Sequence, residues 1–301
     1  MFGKECFPMA IDVVIRQKAL FKRALTQADL SPAGLRTGHW NQAGVLDPGP
    51  NPDGQALCDP ALPGRGCYLQ GAPGEKNQVS LRQPLPCTPR DLEVFYGLVT
   101  RVCQIWKTDR FTQDGAERRL GDIPGMIQSQ NREGAELLRA MAERWQAEGI
   151  LTGAVYPIYI EPEAVDRLKT GDLDFFQSYL AQKQTGDWYY AKPNFFQKKD
   201  GSGILGLYAI TEETPSILPL APFVPPLYSV LLQGFSLTDE QVTDWQVSLN
   251  RVWEENGEMK ADTLGYLPFA EFARRVRLDQ CRPYDARHVL VEVKNLSEVL
   301  P

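Results

Sequence analysis

The chain has 301 residues, a formal net charge of −6 and 43% hydrophobic residues, with 25 Gly, 23 Pro, 6 Cys and 2 His. That length buries a sizeable core without staples, and the hydrophobic share excludes a mainly disordered or fibrous chain. The acidic balance removes any general electrostatic reason to hold nucleic acid or an anionic membrane surface.

Met1–Phe21 mixes Lys4, Glu5, Asp12, Arg16 and Lys18 with its apolar residues, so no continuous export-type apolar segment is expected there. No window reaches the ~18 to 20 apolar residues of a membrane-spanning helix; Ser216–Phe235 comes nearest and is broken by Pro219, Pro222, Pro225, Pro226 and Gln233. A cytoplasmic protein is expected, with the cysteines at 6, 58, 67, 87, 103 and 281 reduced.

Ala10–Ile15, rich in β-branched residues, predicts an opening strand. Thr26 predicts a capped helical turn, and Leu35–Trp40 a second strand. From Asn41 to Glu75, Pro48, Pro50, Pro52, Pro60, Pro63 and Pro73 break every period. That composition predicts a long loop or a pair of hairpin turns, with strands at Gly66–Leu69 and Gln78–Gln83. Thr88, Pro89 and Asp91 open a helix whose apolar residues at 92, 95, 96, 99, 102, 103 and 106 share one face, which puts Cys103 in a core. A second helix is expected over Arg132–Glu148, stopped by Gly149.

Ile150–Ile160 reads as a strand interrupted by Pro157, followed by short helices at Pro162–Lys169 and Leu173–Gln182. Trp188–Lys198 and Ile204–Ile210 read as strands joined by a hairpin at Asp200-Gly201. Pro215–Pro226 reads as a buried crossover. The capping box of Thr238 and Gln241 predicts a helix with Val242, Trp245, Leu249, Val252 and Trp253 facing inward. Pro268 opens another helix through Phe269, Phe272 and Val276, and His288–Val293 reads as the final strand.

This irregular alternation with hairpins predicts an α+β fold of mostly antiparallel sheets and several packed amphipathic helices. Residues 1–150 carry a net charge of +1 and residues 151–301 one of −7. The shift suggests an N-terminal α+β part at 1–149, carrying the Pro/Gly-rich loop at 41–75, and an acidic C-terminal α+β part at 150–301. One continuous domain is the alternative.

Several chemistries fail on context. Gly201-Ser202-Gly203-Ile204-Leu205-Gly206 satisfies the dinucleotide pattern literally, but a strand rather than a helix follows it, and no kinase-type H-R-D or D-F-G segment lies downstream. The cysteines contain no C-x-x-C, so ordinary core and loop thiols are expected rather than a zinc site. Cys281, Asp285 and His288 lie close in sequence, yet the alternation of Val289, Val291 and Val293 turns His288 towards a polar face near Glu292. Glu161 with Glu163, Asp172 with Asp174, and Glu212 with Glu213 could serve a glycoside-cleaving pair, though acids at helix starts are explained by the helix dipole.

The run Trp188-Tyr189-Tyr190-Ala191-Lys192-Pro193-Asn194-Phe195-Phe196 places five aromatics in nine residues. On a strand they line both faces: one set is core, and the other is either covered by a helix or forms an exposed platform, for which Trp188, Tyr190, Lys192 and Phe196 are the candidate binding residues. With no supported catalytic constellation, the expectation is a non-enzymatic binding or interaction protein, immunity-like or adaptor-like, with a protein partner. No cofactor, metal, nucleic acid or membrane partner is expected. The alternatives are a carboxylate-based hydrolase acting on a carbohydrate, and a phage or mobile-element structural component that self-associates through an exposed strand edge.

Overall fold

A computed structural model describes residues 9–226 and 237–300, apart from 42, 50, 52, 53, 72 and 146–148. Cys6 and the last residues of the helix expected at Arg132–Glu148 lie outside the described residues. The chain divides into two compact units, Met1–Thr185 and Gly186–Pro301, so the division falls at Thr185 rather than near Gly149.

The first unit begins with β1 (Ala10–Arg16), in which Ile11, Val13 and Ile15 are buried while Asp12 and Arg16 are exposed. A capping box between Thr26 and Asp29 opens α1 (Gln27–Leu30). The Pro-rich stretch then holds strands: after β2 (Arg36–Trp40) come β3 (Leu46–Asp47), β4 (Gln55–Cys58), β5 (Cys67–Gln70) and β6 (Gln78–Pro84). Helix α2 (Pro89–Ile105) is opened by Thr88 and Asp91 as expected. A short hairpin of β7 (Arg110–Gln113) and β8 (Ala116–Arg119) follows, turned by Asp114 and Gly115, both at positive φ. Helix α3 (Ile123–Arg144) begins nine residues before the expected Arg132, because Ile123, Met126 and Ile127 add a first turn that packs on the core.

These strands form one antiparallel sheet in the order β3-β2-β4-β5-β6-β1-β7-β8. Leu81, Val13 and Leu69 meet in register on the face covered by Phe95, Val99 and Val102 of α2. The run expected as one strand at Ile150–Ile160 is instead a hairpin of β9 (Gly149–Thr152) and β10 (Pro157–Ile160). With α3, α4 (Pro162–Leu168) and α5 (Leu173–Gln184) it encloses a second core around Leu138, Ile158, Leu168 and Phe176.

The second unit holds two four-stranded sheets. One runs β11 (Tyr189–Tyr190), β14 (Ser216–Pro219), β18 (His288–Val291), β17 (Arg282–Pro283). The other runs β12 (Asn194–Gln197), β13 (Ile204–Thr211), β15 (Val242–Glu255), β16 (Glu258–Pro268). The pairs β11·β14 and β13·β15 are parallel and the rest antiparallel. Helix α6 (Phe269–Val276) sends Phe269 and Phe272 into a core with Tyr208, Val247, Leu267 and Val289.

The helix expected after Thr238 is the largest departure. Its capping box exists but closes only a single turn at Asp239–Gln241, and the chain then extends for fourteen residues as β15. Val242, Thr243, Val247 and Val252 are β-branched, and parallel pairing with β13 outweighs the approximate helical spacing of the apolar residues. The fold is thus α+β with mostly antiparallel sheets.

Candidate functional site

The aromatic run does not form one strand. Tyr189 and Tyr190 pair with Ser216 and Ile217 in the first sheet of the second unit, whereas Asn194–Gln197 pairs with Ile204–Leu207 in the other. Ala191 and Pro193 sit at the crossing, and Pro193 has no amide hydrogen to continue the ladder. The four candidate residues are consequently dispersed. Trp188 packs edge-on against Tyr284, with centroids 5.6 Å apart. Tyr190 is buried, Lys192 half-buried, and Phe196 exposed while its neighbour Phe195 packs edge-on against Trp245.

Tyr190 leads to a buried polar chain. Its hydroxyl lies 3.2 Å from His288 Nε2, and His288 Nδ1 lies 2.8 Å from Asp285 Oδ1. His288 is buried rather than on a polar face, because β18 is flanked by β14 and β17 and residues 288, 289 and 291 are all covered. The same carboxylate oxygen accepts the backbone amides of Arg287 and His288, so Asp285 fixes both the turn and the ring. Both ring nitrogens therefore have a hydrogen-bond partner inside the unit.

One acid of each carboxylate pair is engaged. Glu161 binds Tyr179 and Lys183, Asp172 caps α5 by accepting the Phe175 amide, and Glu212 accepts from Arg251 at 2.6 Å and from the Leu296 amide. The Arg251 guanidinium, then the Leu296 amide, hold the Glu212 carboxyl below the ordinary carboxylate range. Cys58, Cys67, Cys87 and Cys103 are free and buried, and desolvation pushes the Cys58 and Cys103 thiols up to about 12. They are packing residues that stay protonated at neutral pH. A cavity of about 270 Å³ in the first unit is lined by Ile11, Leu85 and Leu137 with Gln113, Asp114 and Glu133.

The feature that sequence reasoning missed is the far end of β15 and β16. β13 stops at Thr211, opposite Asn250, so beyond that point the two strands continue as an unsupported ribbon. Every residue from Arg251 to Thr263 is exposed. Asn256 and Gly257 turn the ribbon at φ values of 56° and 80°, the geometry of a two-residue hairpin loop. Opposed pairs set its faces: Val252 with Ala261 and Glu254 with Met259 on one, Arg251 with Asp262, Trp253 with Lys260 and Glu255 with Glu258 on the other. Val252, Trp253 and Met259 are exposed by 41%, 39% and 69%. The Arg251–Glu212 ion pair and the Thr263–Asn250 side-chain bond anchor the base of the arm, and a Lys260–Glu255 pair ties its strands together. Asn-Gly between β-rich runs was the available signal.

No curated protein and no solved structure matches the chain. Residues 52–300, which reach across both units, match the family described as a domain of unknown function, DUF4299. The chain therefore belongs to the DUF4299 family.

Proposed function

We propose that the protein is a non-enzymatic binding or interaction protein, of the adaptor or immunity kind, that engages a protein partner through the Arg251–Thr263 arm. One observation carries this reading: a two-stranded ribbon exposes every residue from Arg251 to Thr263, the apolar Val252, Trp253 and Met259 among them. Two-stranded hairpins alone are marginally stable in water, and exposed strand edges are templates for pairing. The acidic overall charge and the protonated core thiols accord with a cytoplasmic protein that binds neither nucleic acid nor a cofactor. Among the described residues no helix is long and apolar enough to cross a membrane.

A photo-crosslinking amino acid at Met259, in the native host, tests the reading. A discrete cross-linked species from position 259, absent when the probe stands at exposed Leu220, supports it. The same diffuse products from both positions would sink it.

A further inference from the structure

We infer that the partner seated on the arm is a second copy of this chain, added edge to edge along β16. The inference rests on the reading of the arm as the interaction element. β16 is the last strand of its sheet, so its outer row of amides and carbonyls has no partner strand among the described residues. The regular ladder is interrupted at Leu264, since Leu249 pairs with Gly265 and Asn250 with Thr263, and a β-carbon on Gly265 would lie 2.7 Å from the Leu300 side chain. The open length is therefore Glu258–Leu264, and Ala261 is its midpoint.

An antiparallel pairing of two such edges about a twofold axis at Ala261 sets Lys260 of each copy opposite Asp262 of the other, twice by symmetry. It sets Met259 opposite Thr263 and Ala261 opposite Ala261. Centring the axis on Lys260 brings lysine against lysine, and centring it on Asp262 brings aspartate against aspartate, so the charges select one register. Centring it on Met259 leaves only Glu258 between the axis and the turn at Asn256-Gly257. In the Ala261 register the apolar faces of Val252, Met259 and Ala261 from both copies lie side by side in one four-stranded ribbon. That contiguity pairs the open backbone edges and covers the flanks of the side chains that meet at the seam.

The test uses the full chain and two charge reversals, K260D and D262K, each examined by sedimentation equilibrium. Wild type is expected to dimerise below about 100 μM, the range of a modest interface. Each variant alone places like charges in opposition and weakens self-association by at least about tenfold. An equimolar mixture of the two restores dimers, because the two acids that K260D then carries on this edge face the two lysines carried by D262K. This rescue cannot come from a misfolded arm.

A wild-type monomer at every concentration, single variants that dimerise like wild type, or a mixture that stays monomeric would each overturn the inference. If wild type is monomeric while the probe at Met259 joins a different protein, the second-copy inference fails and the interaction reading stands. If neither dimer nor cross-link forms, both fail.

Discussion

Asp91 accepts four hydrogen bonds while almost wholly buried: the amides of Arg65, Gly66 and Thr88 and the Thr88 hydroxyl, all at 2.9 to 3.0 Å. The loop between β4 and β5 is thus stitched to the start of α2 through one carboxylate. A methyl group at Gly64 would sit 2.2 Å from its Oδ2, so the loop backbone has closed around the charge. Asp91→Ala leaves buried donors without an acceptor and is expected to lower the unfolding free energy by about 3 kcal/mol, read as a shifted urea midpoint. Asp59 acts nearby in the same loop. Burial opposes its ionisation, but the Ala61 amide and the Arg90 guanidinium, 2.7 Å away, outweigh burial and hold its carboxyl below the ordinary 3.8. A depressed folded value stabilises above the unfolded value and is lost as pH falls through the folded one. Asp59→Asn should therefore be less stable than wild type by about 1 kcal/mol at neutral pH, with the difference shrinking in denaturant titrations as pH falls through the depressed folded value, below the ordinary 3.8.

At the scale of elements, β15 makes two different bodies of one strand. Trp245 lies where β13 supports it, stacked on Tyr208 at 5.7 Å, and Trp245→Ala is expected to cost about 3 kcal/mol. Trp253, eight residues on in the arm, should change stability by less than about 0.5 kcal/mol when cut to Ala, measured at high dilution where copies stay apart. Equal losses at both positions would show the arm to be packed. The two tryptophans also mark what the sequence makes legible. Helix α2 is readable because cap, proline, acid and apolar period all agree between Thr88 and Trp106. β15 is not, because a real capping box at Thr238–Gln241 precedes apolar residues at 242, 245, 249, 252 and 253 whose spacing also fits a strand buried unevenly on both faces. Strand pairing with β13 lies 40 residues away and leaves no local trace. For the same reason Tyr190 and Phe196 read in sequence as one platform: alternation relates residues within a strand, and the break at Ala191–Pro193 sends them to different sheets.

For the molecule as a whole, the cysteines report on the units separately. Cys58, Cys67, Cys87 and Cys103 lie buried in the first unit and the half-buried Cys281 in the second. With iodoacetamide at about pH 8, Cys281 should be alkylated first among the described cysteines of the folded protein, with mass spectrometry assigning the peptides. Under rising denaturant Cys67, Cys87 and Cys103 should then label together, since they share one core; a staggered order would divide that core. Charge alone pointed to a division near Gly149, but the β9–β10 hairpin and α4 and α5 complete the core beneath α3, and cores rather than charges define units. The strand order has one more consequence. β1 is made first yet lies inside its sheet, between β6 and β7, and its Arg16 pairs with Gln78, 62 residues later. At a synthesis rate of about 5 to 20 residues per second, Ile11, Val13 and Ile15 leave the ribosome about 3 to 12 s before β6, the first strand that pairs with them. During synthesis β1 therefore waits as an apolar strand until β6 follows to pair with it.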